Sequence, residues 1–407
     1  MARKVNTRFL VILTLVVVGG GMALLLAPRF LSRDDTKQLE DYAEKTSTEV
    51  IKAVEEGDLE TLSYKHKEAL DSWQEAIKAD PKNAEYHMKL GDEYLRGVAL
   101  DARNASYAIA KWEESLGYSP GYRPALERLF DAWIQQSENY PHPALLDKVR
   151  QFAKRLHDAD PGDQRAEAYR HIATLGIWLV GAVAGADVQP VSDQEATASM
   201  QALEALMPKR PDIVQIPLVL AQGYAKQAKM LHLRDPNRAA ELLAKTKTTM
   251  DAARKAMDEA LAAKSPLVTP RHSALLWYRQ FQVLKELSEE DDSGLPALKY
   301  PQEITAAIEN AAKQIQPADQ EFGEITSSRA RYMMSKNQRA EAVALLRQAI
   351  QDRPSEPQTR LLLAQILAMD TATLDEAIAL LAQNQPIDKS LTGFRLVRHY
   401  QLESQRL

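Results

Sequence analysis

One pattern occurs three times in this chain of 407 residues: a small residue, a large one four positions on, a small one three further, and a proline five beyond that. Ala69, Trp73, Ala76 and Pro81 form the first copy. Ala108, Trp112, Ser115 and Pro120 form the second, and Ala342, Leu346, Ala349 and Pro354 the third. Spacings of four and three place the small, large and small positions on one stripe of an α-helix. A proline then drives the residue before it out of helical backbone. A helix cannot bury such a stripe by itself. It needs a neighbour, and a repeated sequence supplies one, so the chain is predicted to fold as stacked helix pairs.

The pattern of apolar residues and breaks predicts about seventeen helices after residue 35, from 36–55 and 60–79 at the start to 373–383 and 389–405 at the end. The stops are written as Asp80-Pro81, Ser119-Pro120, Asp160-Pro161, Asp235-Pro236 and Arg353-Pro354. No segment sustains the alternation of a strand, so no sheet is expected. The middle is less regular, with a helix over 163–184 and a long one over 236–263. The first of these holds an uncharged stretch, Ile172 to Ala186, too short to span a bilayer and therefore expected to be buried on all sides. Its Gly176, Gly181 and Gly185 are expected to let neighbouring helices approach closely. The five tryptophans sit in apolar helical patterns and read as core, with Trp73 and Trp112 at the large position of the repeat.

These residues resemble the tetratricopeptide repeat, a helix-turn-helix unit of about 34 residues. From Ala84 the match runs through Leu90, Gly91 and Tyr94 on a first helix, then Ala108, Trp112, Ser115 and Pro120 on a second. That unit carries about five extra residues between its helices, near Gly97 to Asn104. Gly323 to Glu356 fits at full repeat length with Ala330 as the small residue, and a further unit from Pro357 closes early, at Pro386. Between Tyr122 and Pro317 the match is degenerate. The resemblance implies an all-α fold, a right-handed superhelical solenoid of antiparallel helix pairs, whose groove is lined by the first helix of each pair. Its implied groove positions are Asp92 and Arg96, then Arg331 and Met334, then Gln365. The paired Lys and Asn that clamp a peptide carboxylate in that family are not reproduced, so an extended segment or a folded partner is the implied ligand.

Ahead of the repeats, Phe9 to Leu26 is apolar and uncharged, and the run continues to Pro28. Eighteen residues at helical rise span about 27 Å, one hydrocarbon core. Residues 9–28 are therefore expected to be a transmembrane signal anchor. A cleaved signal peptide, with a small-residue site near Gly21-Met22-Ala23, is the other reading of the segment. Arg3, Lys4 and Arg8 precede it, whereas Asp34 and Asp35 offset Arg29 and Arg33 behind it. That bias places residues 1–8 in the cytoplasm and the body outside, which in a bacterium is an inner-membrane protein with its body in the periplasm.

The whole chain has a net charge of −5, and setting aside the five basic residues of positions 1–33 leaves −10 on the remainder. An acidic body without a basic stripe argues against nucleic acid as a partner. With no cysteine, thiol catalysis and Cys-ligated zinc are excluded. The eight histidines show no metal-ligand spacing, and no phosphate-binding glycine loop or nucleophile elbow occurs, so no catalytic residue, metal or cofactor is expected. The run Glu289 to Gly294 lacks the alternating ligands of a calcium loop and reads as a solvated break. The expected organisation is thus an anchor, repeats over 36–289, an acidic linker over 290–300 and repeats over 301–407. The expected role is a membrane-anchored scaffold or adaptor that binds a protein or peptide. An accessory subunit of an enzyme complex and a cleaved secreted binding protein are the alternatives.

Overall fold

The computed structural model describes residues 33–56, 58–181, 183, 187–288, 300–354 and 356–382. Among these, all regular structure is helical. In chain order the helices are α1 (Arg33–Glu56), α2 (Leu59–Ala79), α3 (Ala84–Arg96), α4 (Asn104–Tyr118), α5 (Arg123–Asn139), α6 (Pro143–Ala159), α7 (Gln164–Val180) and α8 (Asp193–Leu206). They continue as α9 (Gln215–Leu231), α10 (Pro236–Ala262), α11 (Pro270–Ser288), α12 (Pro301–Gln314), α13 (Phe322–Ser335), α14 (Arg339–Asp352), α15 (Pro357–Leu367) and α16 (Leu374–Ala382). The anchor at 9–28, the acidic run within 289–299, Pro386 and the helix expected at 389–405 lie outside the described residues.

The proline stops share one backbone conformation. Asp80, Ser119, Asp160, Asp235 and Arg353 each precede a proline, with φ between −136° and −145° and ψ between 81° and 92°. The proline ring forbids helical backbone at these residues. In four of the five the residue is the C-cap of a finished helix; Asp235 is instead the N-cap of the next one, its side chain accepting from the Arg238 amide at 3.0 Å. Starts are written with equal economy. Asp58 accepts from the Thr61 amide, Asn83 from the Glu85 amide, and Ser192 and Glu195 form a reciprocal capping box.

Packing divides the chain into two compact units, with the boundary between Arg170 and His171, within α7. In the first, α1 packs on α2, α3 on α4 and α5 on α6, and α1 also touches α3. In the second, α9 packs on α10, α11 on α12, α13 on α14 and α15 on α16. There α9 also touches α11, and α13 touches α15. Pairs of consecutive helices, with first helices meeting first helices, are the stacking that the repeated stripe predicts. All nine stripe residues are buried, none more than 2% exposed. Ser115, a polar residue in a small position, is satisfied by donating to the Ala84 carbonyl at 2.6 Å.

Tight approaches occur at Gly91 and Gly323 of the regular repeats, and also at Gly223 of α9, where a Cβ would lie 2.8 Å from Met200 Sδ. A Cβ on Gly91 would lie 2.5 Å from Trp112 Nε1, and one on Gly323 would lie 2.4 Å from Glu356 Cδ. The helix expected over 163–184 instead stops at Val180. Gly181 adopts φ +77°, a left-handed conformation that glycine takes without strain, and its amide closes on the Ile177 carbonyl at 3.0 Å. The all-round burial expected there also fails, because Val180 and Val183 are exposed. Among the described residues nothing lies within 4 Å of a Cβ built on Gly181, so none makes a close approach there. That glycine ends a helix.

Candidate functional site

In the first unit, the first helices of successive pairs are stitched together by ion pairs. Glu44 of α1 meets Lys89 of α3 at 3.2 Å. Asp92 of α3 takes a two-pronged contact from Arg128 of α5, at 2.9 and 3.0 Å. Asp131 of α5 meets Arg165 of α7 at 2.5 Å. Asp92 also accepts the indole N–H of Trp112 at 3.1 Å. Of the positions that the repeat resemblance assigns to a groove, Asp92 is therefore occupied in holding α3, α4 and α5 in register. Arg96 is occupied too, donating at 2.6 Å to Glu93. A carboxylate with two such partners has little left to offer a ligand.

In the second unit, Arg271 of α11 meets Glu321, the N-cap of α13, at 2.5 Å, and Arg329 of α13 meets Glu309 of α12 at 2.5 Å. Arg331 of α13 is exposed, and it has no ion-pair partner among the described residues. Met334, one turn along, is half-buried and packs into the apolar cluster formed by Ala330, Leu346, Leu362, Leu363 and their neighbours. Gln365 is half-buried on α15, the helix that supplies much of that cluster. Arg331 and Met334 thus share one helix, and Met334 shares a core with the helix that carries Gln365. Near the C-terminal end of α13 is a cleft of about 380 Å³, lined by Lys285, Ser288, Tyr300, Pro301, Ile304, Tyr332, Ser335 and Lys336. Among the described residues, two lysines and no acid line it. Lys336 lies 5.3 Å from the ring centre of Tyr332, whose hydroxyl is fixed to Thr305 at 2.9 Å. Tyr332 and Lys336 offer an aromatic wall and a positive charge, which suits an anionic group carried on an apolar body.

A second cleft, of about 480 Å³, lies between α1 and α2 and is lined by Leu39, Tyr42, Tyr64, Lys67, Glu68, Asp71, Ser72 and Glu75. Glu68 pairs with Lys65 at 3.1 Å and accepts from the Tyr42 hydroxyl at 2.7 Å. The hydrogen bond to Glu68 pushes the Tyr42 phenol above its ordinary value, and the same bond lowers the Glu68 carboxyl.

Nothing in the sequence singles out Lys285, Lys336 and Tyr332, because a lysine one turn from a tyrosine is ordinary on any helix. Nor does it single out Glu93. The one signal leading toward that residue is indirect: the buried Trp73 indole N–H needs an acceptor, which is Ser47, and Ser47 in turn donates to Glu93. Trp112 and Trp178 follow the same rule, donating to Asp92 and to Asp193 at 2.9 Å. Several histidines have structural partners, whereas His157 Nδ1 is buried with no hydrogen-bond partner among the described residues. His66 binds the Glu93 carbonyl, His87 lies between Glu114 and the Pro81 carbonyl, and His142 caps α6. His272 faces Thr269, with its imidazole lowered by burial. Among the described residues, no group of three or more His, Asp or Glu side chains is placed to hold a metal ion. No described helix is long and apolar enough to cross a membrane.

No family model matches this chain, and none of the curated proteins matches it. Solved structures do. The TPR domain of P58(IPK) is 16% identical, covering 89% of this chain and 98% of that one, with a TM-score of 0.24. A circular tandem repeat protein is 13% identical over 91% of this chain and 92% of its own, with a TM-score of 0.24. Yeast Tom70 is 12% identical over 90% of this chain and 96% of its own, with a TM-score of 0.22. Likenesses of that size carry no argument; the helix pairing rests on this chain's own packing.

Proposed function

We propose that this chain is a non-catalytic scaffold that holds a protein partner on the first-helix face of its second unit. Residues 9–28 anchor it in a membrane, with the body on the non-cytoplasmic side, in the periplasm of a bacterial cell. The observation that carries the binding role is Arg331, exposed on α13 without an ion-pair partner among the described residues and one turn from half-buried Met334. A surface that keeps an unpaired guanidinium next to partly buried apolar groups has the composition of a contact patch. The anchor rests on the uncharged run Phe9 to Leu26 and the basic residues before it.

Photo-crosslinkers placed at 331 and 334 in membranes of the native host test the binding role, with Gln348 on the exposed side of α14 as the comparison. The reading expects one discrete crosslinked protein from 331 and 334 and none from 348. Equal labelling at all three would refute it. A reporter fused after residue 382 tests the topology separately, and cytoplasmic activity would remove the exported placement.

A further inference from the structure

Glu93 is the only ionisable side chain in the described residues buried to 0% exposure. Its carboxyl sits where α1, α2 and α3 meet. Oε2 accepts from Ser47 Oγ of α1 at 2.8 Å and from Arg96 Nη1 of its own helix at 2.6 Å. Ser47 in turn accepts the indole N–H of Trp73, on α2, at 2.8 Å. The chain Trp73 to Ser47 to Glu93 therefore joins both helices of the first pair to the first helix of the second. From the other side, His66 of α2 reaches the Glu93 backbone carbonyl at 3.0 Å; a carbonyl can only accept, so this imidazole nitrogen carries hydrogen. Asn104 closes the base by donating to the Gly97 carbonyl at 2.8 Å.

The other carboxyl oxygen, Oε1, is buried and has no hydrogen-bond partner among the described residues. That asymmetry matters. An ionised carboxylate spreads its charge over both oxygens, so Oε1 would hold about half a charge with nothing to solvate it. As the neutral acid, the same group leaves at most a polar O–H unsatisfied, a far smaller penalty. The charged and titratable groups that face the carboxyl are Arg96 from α3 and His66 from α2, while α1 contributes Ser47 alone. Arg96 favours the ionised form, but it is itself part-exposed and engages only the oxygen that is already satisfied.

We infer that Glu93 is a proton-operated latch between the first helix pair and the second: protonated, it holds α1 against α3, and ionised, it loosens α1 so that water reaches Oε1. Burial, the largest influence on this carboxyl, pushes it above its ordinary value, against the opposing pull of Arg96 and Ser47. The sign of the linkage follows. A carboxyl raised in the folded protein binds its proton more tightly there than in the unfolded chain. Its stabilising effect is complete below about 4.5, the ordinary value, and fades as pH rises through the folded one. Lower pH thus tightens the α1–α3 seam and higher pH relaxes it. The consequence is local, because Asp92, the neighbouring residue on α3, holds the α3–α5 seam through the half-exposed guanidinium of Arg128.

The experiment is amide hydrogen exchange on the full-length chain between pH 5 and 8, corrected for intrinsic exchange, read at α1, α3 and α13. Protection of α1 near Ser47 is expected to fall at least several-fold as pH rises in the wild type. In Glu93→Gln, which keeps the shape and cannot ionise, it should be flat, and α13 should be unchanged in both. The same pH profile in Glu93→Gln would assign the effect to His66 and overturn the latch. Carbon-13 titration of the Glu93 carboxyl in the wild type decides independently, even if the variant does not fold. A midpoint at or below the ordinary carboxylate value refutes the proposal, and one above it supports it.

Discussion

Gly91→Ala is a change of one methyl group that the packing forbids. The added Cβ would lie 2.5 Å from Trp112 Nε1, 2.6 Å from Trp112 Cδ1 and 3.0 Å from the Ala108 carbonyl oxygen. None of these can yield cheaply. Trp112 is 2% exposed and its indole is tied to Asp92, which is tied to Arg128. Overpacking costs about 1–3 kcal/mol, and breaking the indole's bond to a charged acceptor about 1.5–3 more, while alanine's better helix propensity returns about 1. The net loss is on the order of 1.5–5 kcal/mol, or roughly 10-fold to several-thousand-fold more local opening. Hydrogen exchange of α3 and α4 amides measures it without assuming that the whole chain unfolds in one step. Gly117→Ala, on exposed α4 surface with nothing within 4 Å of its new methyl, is the matched control and should stabilise by about 0.5–1 kcal/mol. In a Trp112→Leu background, Gly91→Ala should lose most of its cost, a coupling that a double-mutant cycle reads directly. If Gly91→Ala and Gly117→Ala behave alike, the close approach of α3 and α4 is wrong.

Backbone strain gives a pair of opposite effects. Gly181→Ala should destabilise by about 1–2 kcal/mol, since φ is +77° there, whereas Lys264→Gly, at φ 52°, should stabilise by about 1 kcal/mol; thermal melts of each variant check the signs. Ser47→Ala leaves both the Trp73 indole and Glu93 short of a partner, and should cost about 1–3 kcal/mol for each group left unsatisfied, measured as lost protection at α1 and α2. Arg331→Glu should abolish crosslinking to the partner from position 334 and shift stability by less than about 0.5 kcal/mol, because its side chain is exposed. A variant that loses the partner only by unfolding would show the loss in its melt as well.

The helices were legible because their punctuation is local. Asp80-Pro81, Ser119-Pro120 and Arg353-Pro354 end helices through the sterics of two adjacent residues, and the stripe from Ala69 to Ala76 needs only a helical period to predict burial. What was not legible depends on partners far away in sequence. Asp92 reads as a groove residue from its position in the repeat, yet Arg128, 36 positions on, takes it out of play. Glu93 looks like one more solvated acid on an acidic chain. Only the folded arrangement brings Ser47, 46 positions earlier, to its carboxyl. The stretch from Ile172 misled for a different reason: uncharged composition says buried, but the conformational freedom of Gly181 decides where the helix stops.

The ion pairs that stitch α1 to α3, α3 to α5 and α5 to α7 make ionic strength a diagnostic of where a partner sits. Those charges are already matched within the first unit, so a ligand resting there gains little from them and should tolerate added salt. Arg331, in the second unit, would meet a counter-charge only when a ligand arrives, and mobile ions compete for that encounter over a distance of about 10 Å at 0.1 M salt. Washing a captured complex with increasing salt therefore reads out the docking unit from the elution profile alone. Release at moderate salt points to the second unit, and retention to the first.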